Sequence, residues 1–242
     1  MEISEGIEIA DLGIYLSKEK ILIFSDFHLG YEESLNKQGI FIPRHQFEDT
    51  KRRLENLFSK ITDVETIIIT GDLKHEFGTI SRQEWRDVFK IVELMQKHCE
   101  KLVILKGNHD VVLQSMLKKK NLEVRTAFCL GDYAILHGDE LPQDVDVLKR
   151  KIFIIGHIHP AIKLTDSFTS EKVKCFMKGK WSGKTLIVLP SFNLITEGTD
   201  LLTEKVLSPF LQKNLDDFEI WAVAGSEKAF YFGNIKKLRS FL

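Results

Sequence analysis

Five short segments of the sequence carry side chains that bind metal ions. They are Asp26-Phe-His28, Gly71-Asp72-Leu-Lys-His75, Gly107-Asn108-His109-Asp110, His137-Gly-Asp139 and Gly156-His157-Ile-His159. Six of the eight histidines lie in these segments. Imidazole combined with carboxylate and amide oxygens suits Mn, Fe or Zn better than Ca. The donors are too many for one tetrahedral ion, so the sequence favours two ions that share a carboxylate, as in phosphatases and nucleases.

Each segment follows a short apolar run that predicts a strand. The runs are Lys20–Ser25, Thr66–Thr70, Lys101–Leu105, Ala134–His137 and Lys151–Ile155. Runs of this length that end near Gly or Asp are typical of buried strands. The carboxyl ends of parallel strands meet at one edge of an α/β sheet, so the five segments can form one site. We expect extended backbone within Asp26–His28 and His157–His159, which would turn their i and i+2 side chains to the same side.

The segments between these runs predict helices. Apolar residues recur at helical spacing over 47–61 and 85–95, and Ser81 with Glu84 forms a capping box before the second pattern. Alternating strands and helices predict an α/β fold with helices on the sheet faces. After residue 160 further strands are predicted at 173–177, 185–189, 219–223 and 229–232. Gly179 and Gly183 predict a hairpin turn near Trp181.

Composition and charge exclude several classes of protein. The chain has 242 residues, of which 43% are hydrophobic and 29% charged, and this excludes a wholly disordered chain. The net charge of −1 gives no global sign of a nucleic-acid binder. Three widely spaced cysteines argue against a disulfide framework. We expect a cytoplasmic protein without membrane association, because the N-terminus lacks signal-peptide features and no apolar run spans a bilayer.

The order D-x-H, G-D-x-x-H, G-N-H-D, H-G and G-H-x-H resembles that of the calcineurin-like metallophosphoesterase superfamily. Within it, residues 25–32 and 71–75 are similar to the SbcD-type DNA repair nucleases, and more similar to the small SbcD-related phosphoesterases. Leu189–Asn193 followed by Gly198 and Thr199 also resembles this small group. The resemblance implies β-sheets flanked by helices in four αββα layers. We interpret residues 1–242 as one domain, with the motifs between about 20 and 200 and closing strands within 215–235.

The resemblance also implies a role for each motif residue. The expected ligands are Asp26, His28 and His159 for the first ion, Asn108, His137 and His157 for the second, and Asp72 as the bridge. His109 would contact the phosphate, and Asp110 would orient His109 by accepting its other ring N–H. His75 would help to position the phosphate or protonate the leaving oxygen.

The function implied is a two-metal phosphodiesterase, with a nuclease acting on DNA or RNA as the leading interpretation. A metal-bridging hydroxide would attack phosphorus in line, with Mn as the favoured metal and Fe, Zn or Ni open. A phosphatase, a small-molecule or nucleotide phosphodiesterase, and a non-catalytic metal-binding scaffold are the alternatives. The chain lacks the capping and partner-binding segments of the large nucleases and any coiled coil, and a homodimer stays open. Asp139 follows His137-Gly138 where many relatives have Gly-His, so its role is unassigned.

Four further residues are candidates for substrate binding. Arg44 precedes a predicted helix and could clamp a phosphate through its planar guanidinium, and Tyr31 could line the cleft. Lys180 and Trp181 could hold a backbone phosphate and stack on a base. The alternatives are a solvated surface charge for Arg44 and a plain exposed hairpin for Lys180 and Trp181. We expect His45 and His98 to be structural and Lys118–Lys120 to be solvated surface.

Overall fold

A computed structural model describes residues 1–76, 81–110, 113, 117, 122, 124–165, 169–225 and 228–241. The described strands are β1 (Glu2–Ser4), β2 (Ile7–Ala10), β3 (Gly13–Leu16), β4 (Ile21–Phe24), β5 (Thr66–Ile69), β6 (Lys101–Leu105), β7 (Val124–Arg125), β8 (Ala127–Leu130), β9 (Tyr133–Leu136), β10 (Ile152–Ile155), β11 (Pro160–Thr165), β12 (Ser170–Trp181), β13 (Lys184–Val188), β14 (Thr199–Asp200), β15 (Glu219–Ala224) and β16 (Lys228–Asn234). The described helices are α1 (Tyr31–Lys37), α2 (Gln46–Lys60), α3 (Arg82–Gln96), α4 (Val145–Leu148) and α5 (Ile235–Arg239), with a 3-10 turn at Pro209–Leu211. None of these described helices is both long enough and apolar enough to cross a membrane.

The first sheet holds β1 to β7 in chain order. Strands β1 to β4 pair antiparallel, whereas β4, β5, β6 and β7 pair in parallel. All four residues of β4 are buried, as expected for a central strand covered on both faces. Helices α2 and α3 cover one face by burying residues such as Leu54, Phe58, Val88 and Met95 in the same core as β4 and β5.

The second sheet faces the first and follows the order β14-β11-β12-β13-β10-β9-β8. Its central strands β9, β10 and β13 pair in parallel, and β15 joins the sheet through β12. Alternate residues of β10 enter different cores, because side chains along a strand point to opposite faces. Ile154 packs into the core that includes the first sheet, whereas Phe153 and Ile155 pack with Phe210 on the outer side. The layers are therefore helices, sheet, sheet and a cover that contains the 3-10 turn.

The predicted strands and the two predicted helices are present, with bounds that shift by a few residues. Strands β1, β2, β3, β7, β8, β11 and β14 were not predicted. Polar residues or glycine interrupt the apolar pattern of the first three, as Glu2, Glu8 and Gly13 show. The prediction for Gly179 is wrong: it lies within β12, and a Cβ there would be 2.6 Å from the Phe218 ring. The hairpin turns instead at Ser182 and Gly183, whose φ values are 49° and 78°.

The structure also bears on the cysteines and on His98. The three cysteines are free thiols. His98 stacks on Phe58 with ring centroids 4.4 Å apart, which supports a structural role. Lys118–Lys120 lie outside the described residues.

A cluster of three phenylalanines lies below the metal-ligand segments. The ring of Phe192 lies 5.1 Å from that of Phe24 and 4.8 Å from that of Phe27, and all three are fully buried. The loop of Phe192 follows β13, and its N–H donates to the carbonyl of Ser25 at 2.8 Å. The next N–H, of Asn193, donates to the carbonyl of Asp26 at 3.1 Å. This packing fixes the backbone that presents Asp26.

We expect Phe192→Ala to lower the free energy of unfolding by about 3–5 kcal/mol, because it removes a ring from a closely packed core. Urea unfolding followed by tryptophan fluorescence would measure the change. Phe230→Ala is the matched control, since Phe230 is 49% exposed and should cost little. Equal losses in both variants would contradict this account of the core.

Candidate metal centre

The five predicted segments meet at the carboxyl ends of β4, β5, β6, β9 and β10. Backbone hydrogen bonds join them across the strands: the N–H of His28 donates to the carbonyl of Asp72 at 2.9 Å, and that of Gly156 to the carbonyl of His137 at 2.9 Å. The parallel pairing of these strands places their following loops at the same edge. The site therefore draws on both sheets.

The first donor group contains Asp26, His28 and His159, whose potential ligand atoms lie within 4.8 Å of one another. Nε2 of His28 and Nε2 of His159 are 3.2 Å apart, and Nε2 of His159 is 3.4 Å from Oδ1 of Asp26. Two nitrogens on one ion, each at about 2.1 Å, would be separated by roughly 3.0–3.4 Å. Oδ1 of Asp26 is buried and has no hydrogen-bond partner, so the group fits a bound cation.

The second donor group contains Asp72, His137 and His157. Nε2 of His137 lies 3.2 Å from Nδ1 of His157 and 3.0 Å from Oδ1 of Asn108. The carbonyl of Thr70 accepts from Nδ1 of His137 at 3.1 Å, which directs Nε2 into the group. This geometry also fits a cation, with Asn108 as a neutral oxygen donor.

Asp72 belongs to the second group and also faces His28 of the first group. Its Oδ2 is 3.8 Å from Nε2 of His28 and 3.4 Å from Nε2 of His137. Its Oδ1 accepts from the backbone N–H of His109 at 2.8 Å. The carboxylate thus occupies the position expected of a bridge, and its bridging role remains a prediction.

Two hydroxyl groups support Asp26 and were not predicted. Ser25 Oγ donates to Oδ2 of Asp26, and Thr70 Oγ1 donates to Ser25 Oγ at 2.6 Å. The N–H of His157 donates to the same carboxylate oxygen at 2.9 Å. The sequence signal that could have indicated them is that Ser25 and Thr70 are polar residues at the ends of otherwise apolar runs. These bonds leave Oδ1 facing the imidazoles.

The expectation of extended backbone in the ligand segments is wrong. Asp26, His28, His157 and His159 have φ values of 53°, 44°, 72° and 46°, in the left-handed region. Among the described residues, eight non-glycine residues have positive φ, and Asp72 is a fifth site residue in that set. Such conformations cost of order 1–3 kcal/mol each and persist where surrounding contacts fix them. The convergence of the side chains is set by these turns rather than by strand alternation.

Three histidines, His28, His75 and His109, form a further group within 4.8 Å. Nδ1 of His109 lies against the backbone carbonyl of His75, to which it can donate. The ring of Tyr31 lies 4.5 Å from that of His75, edge to face. The structure therefore brings His75, His109 and Tyr31 together beside Asp26 and Asp72.

The role expected for Asp110 as the partner of the His109 ring is wrong. Oδ2 of Asp110 accepts instead from the backbone N–H of Asp72 at 2.7 Å and of Gly107 at 3.1 Å, and its Oδ1 has no hydrogen-bond partner. The turn over 107–110 directs the carboxyl back to the loop that carries Asp72. Burial, and then the charge of Asp72, raise the pKa of Asp110 to about 7.

The imidazoles differ in their affinity for protons. Burial, followed by the neighbouring His159, lowers the pKa of His28 to about 3. Burial also disfavours charge on His137, but Asp72 and Asp26 outweigh it and raise the pKa to about 9. A cation bound at His137 would displace that proton, so metal uptake should release protons.

The family model described as calcineurin-like phosphoesterase matches residues 19–222. The chain belongs to the calcineurin-like phosphoesterase family. It is accordingly a metal-dependent phosphoesterase, and its donor groups could hold the divalent metal ions that the family implies. No curated protein sequence shows significant similarity to the chain.

Solved structures support the fold of this phosphoesterase. Pseudomonas putida nuclease MPE is similar at a TM-score of 0.64 and 19% identity, over 93% of each chain. At this identity the likeness shows a shared fold, and the predicted fold class is confirmed. Yfce, a phosphoesterase from E. coli, has a TM-score of 0.42 and 13% identity over 88% of this chain and 96% of its own. A single mutant of Vps29 from Entamoeba histolytica has a TM-score of 0.39 and 15% identity, over 88% and 98%.

The remaining substrate candidates lie in different settings. Arg44 is exposed and donates to Oε1 of Gln83 at 2.8 Å. Lys180 is exposed and donates to Oγ1 of Thr185 at 3.2 Å. Trp181 is half-buried, and its ring packs on Phe153 and Phe210 at 5.0 and 4.7 Å, which favours a packing role over base stacking. Arg44 and Lys180 remain predictions.

A cavity of about 610 Å³ adjoins the second donor group of the phosphoesterase. Asn108 and His137 line it on one side, and a segment that follows β9 lines the other. The acidic residues of its lining are Asp139, Glu140, Asp144 and Asp146. Its volume is in the range of small-molecule sites. Asp139, which had no assigned role, belongs to this lining and helps to raise the pKa of His137.

We expect Gly107→Ala to weaken metal binding at least tenfold, a loss typical of disturbed ligand support. A Cβ at Gly107 would lie 2.1 Å from Oδ1 of Asp72 and must displace that carboxylate. Titration of metal-free protein with Mn²⁺ would measure the change by calorimetry. Gly39→Ala is the control: the φ of 85° at Gly39 strains an alanine there, but no atom lies within 4 Å of its Cβ position, so it should leave metal affinity unchanged. Wild-type affinity in Gly107→Ala would contradict the placement of Asp72.

Proposed function

We propose that this phosphoesterase hydrolyses phosphodiester bonds with two divalent metal ions, and that nucleic acid is its leading substrate. The observation that carries the proposal is the pair of donor groups on either side of Asp72, with His75 and His109 beside them. The proposed ligands are Asp26, His28 and His159 for the first ion, Asn108, His137 and His157 for the second, and Asp72 for both. Manganese is the proposed metal, although Fe, Zn and Ni accept the same donors.

The bound ions would supply charge neutralisation of the phosphate and activation of water for attack on phosphorus. The chain itself would position the phosphate. His109 keeps Nδ1 on the carbonyl of His75, and its Nε2 lies 3.9 Å from Oδ2 of Asp72. In the imidazolium form both ring nitrogens carry a hydrogen, so Nε2 could donate to a phosphate oxygen held beside the two groups while Nδ1 keeps its bond to the carbonyl of His75. Donors fixed in advance in this way stabilise charge that develops in the transition state.

His75 has two possible roles, and its protonation favours one. Burial, followed by the neighbouring His109, lowers the pKa of His75 to about 4. A neutral imidazole at pH 7 can donate a hydrogen bond to phosphate but carries no extra proton for the leaving oxygen. We therefore assign His75 to phosphate positioning rather than to general acid catalysis.

Two observations bear on the substrate. The motif resemblance to SbcD-type nucleases and the fold shared with a nuclease from Pseudomonas putida support nucleic acid. The acidic lining of the cavity beside Asn108 and His137 favours a second candidate, a small phosphodiester or nucleotide. Carboxylates there would repel a further phosphate of a polyanion on that side.

Paired hydrolysis assays test the proposal. We expect Mn²⁺-loaded protein to hydrolyse bis(4-nitrophenyl) phosphate in preference to 4-nitrophenyl phosphate. Asp72→Asn should lower this activity by more than about 100-fold, since even outer-shell partners of metal ligands are worth 10–100-fold. Metal content of each preparation, measured by mass spectrometry, should fall in Asp72→Asn.

The outcomes separate the candidates. Preference for the monoester would indicate a phosphatase, and two bound ions without turnover of either ester would favour the scaffold. With diester preference established, linear and circular DNA and RNA should be degraded by the wild type and not by Asp72→Asn. Hydrolysis of small diesters without degradation of DNA or RNA would favour a small phosphodiester or nucleotide as the substrate.

The role of His75 predicts a specific dependence on the leaving group. We expect His75→Ala to retain its metal ions and to lose about 100-fold in kcat, as for other transition-state donors. The loss should be similar for methyl 4-nitrophenyl phosphate and methyl phenyl phosphate, because a positioning donor does not protonate the leaving oxygen. A much larger loss with the phenyl ester would instead assign His75 as the proton donor.

A further inference from the structure

We propose that Lys74 and Glu84 act together as positioning residues that hold His75 and His109 against the phosphate. The inference rests on the proposed function of that site. Lys74 has none of its surface exposed, and Glu84 has 1% exposed. Lysine and glutamate are almost never fully buried unless they are paired. Neither belongs to a donor group or to the roles expected from the motifs.

Lys74 joins the two loops that carry the histidines. Its ammonium donates to the backbone carbonyls of Glu76 and His109. The ring of His109 in turn lies with Nδ1 against the carbonyl of His75. The backbone on both sides of His75 and the backbone of His109 are therefore tied to one buried cation.

Glu84 holds the same turn from helix α3. Its Oε1 accepts from the N–H groups of His75 and Glu76, both at 3.0 Å. The predicted capping box is thus only half formed: Ser81 Oγ accepts from the N–H of Glu84 at 3.0 Å, while the Glu84 carboxylate points to this turn. Burial raises the pKa of Glu84, and the charge of Lys74 opposes that effect.

The space around Glu84 permits little adjustment. A Cβ at Gly30 would lie 2.9 Å from Cγ of Glu84, so the segment that follows His28 packs directly on this side chain. The second oxygen, Oε2, is buried without a hydrogen-bond partner. The carboxylate is therefore confined between the first ligand segment and the turn of His75.

Stability alone does not explain this arrangement. Removing an ammonium or a carboxylate from water costs several kcal/mol per ion, and hydrogen bonds to backbone groups offset that cost only in part. The bonds of Lys74 and Glu84 are all directed at backbone groups that flank His75 or belong to His109. Lys74 and Glu84 instead orient two imidazoles that must contact phosphate. Small errors in such orientation lower the reaction rate strongly.

The first test measures kcat and KM of Mn²⁺-loaded Lys74→Met with bis(4-nitrophenyl) phosphate. We expect kcat to fall by about 10–100-fold, with KM and metal content near those of the wild type. Lys74→Arg should recover part of the loss, because it can still donate to the two carbonyls. Lys178→Met is the matched control, since Lys178 donates to the carbonyl of Ile3 at 2.8 Å, and it should leave kcat unchanged.

Glu84 provides a second pair of variants. Glu84→Gln keeps an acceptor for the two N–H groups and should retain most of kcat, whereas Glu84→Leu should lose as much as Lys74→Met. If Lys74→Met does not fold, the comparison of Glu84→Gln with Glu84→Leu still tests whether the turn of His75 must be held in position. Equal kcat in Glu84→Gln and Glu84→Leu would overturn the inference.

The second test separates positioning from a general structural effect. In a His75→Ala, His109→Ala background, Lys74→Met should cost less than twofold, because the groups that it positions are absent. The same fold loss in both backgrounds, or loss of metal, would overturn the inference. If His75→Ala and His109→Ala each leave kcat unchanged, the proposed function of the site fails. If they lower kcat but Lys74→Met matches Lys178→Met, only this inference fails.

Discussion

The site contains two buried carboxylates, Asp26 and Asp72, and its structure depends on compensating their negative charges. An uncompensated charge in a protein interior is strongly unfavourable, so each needs donors and nearby positive charge. Ser25 and His157 donate to Asp26, and His109 donates to Asp72. Burial opposes ionisation of both, but the surrounding imidazoles outweigh it and lower both pKa values. The site therefore holds its negative charge before any cation is bound.

The same constraint explains why two sheets are needed. Asp26 and Asp72 follow strands of the first sheet, whereas His137 and His157 follow strands of the second. The imidazoles reach the carboxylates only because the apolar faces of the two sheets pack together. Close approach of the loops is also required, and Gly156 permits it: a Cβ there would lie 1.6 Å from Oγ of Ser25. Core packing and the chemistry of the site are thus coupled.

The sequence allowed prediction of the strands and of which side chains would converge, because apolar runs and the residues that follow them are local signals. The left-handed φ values of the ligand segments could not be predicted, since i and i+2 spacing carries no information on dihedral angles. The partner of Asp110 depends on one turn, and the packing of the half-buried Trp181 depends on Phe153 and Phe210, which are distant in sequence. The burial of Lys74 and Glu84 could not be predicted from the sequence either, because charged residues are ordinarily exposed. The single domain, the cytoplasmic location and a homodimer stay predictions.

Charge distribution connects this architecture to substrate choice. Asp26 and Asp72 contribute two negative charges, so two proposed divalent ions would leave the centre with a net charge of about +2. Such a centre attracts one phosphate group, whatever the ester attached to it. The lining of the adjacent cavity is negative on balance, because the four carboxylates of Asp139, Glu140, Asp144 and Asp146 outnumber the ammonium of Lys106. A phosphate would be drawn to the metals while a flanking phosphate on that side would be repelled. Under the proposed function, both substrates would use the metal ligands alike, so we expect this acidic lining to discriminate between a polynucleotide and a small diester.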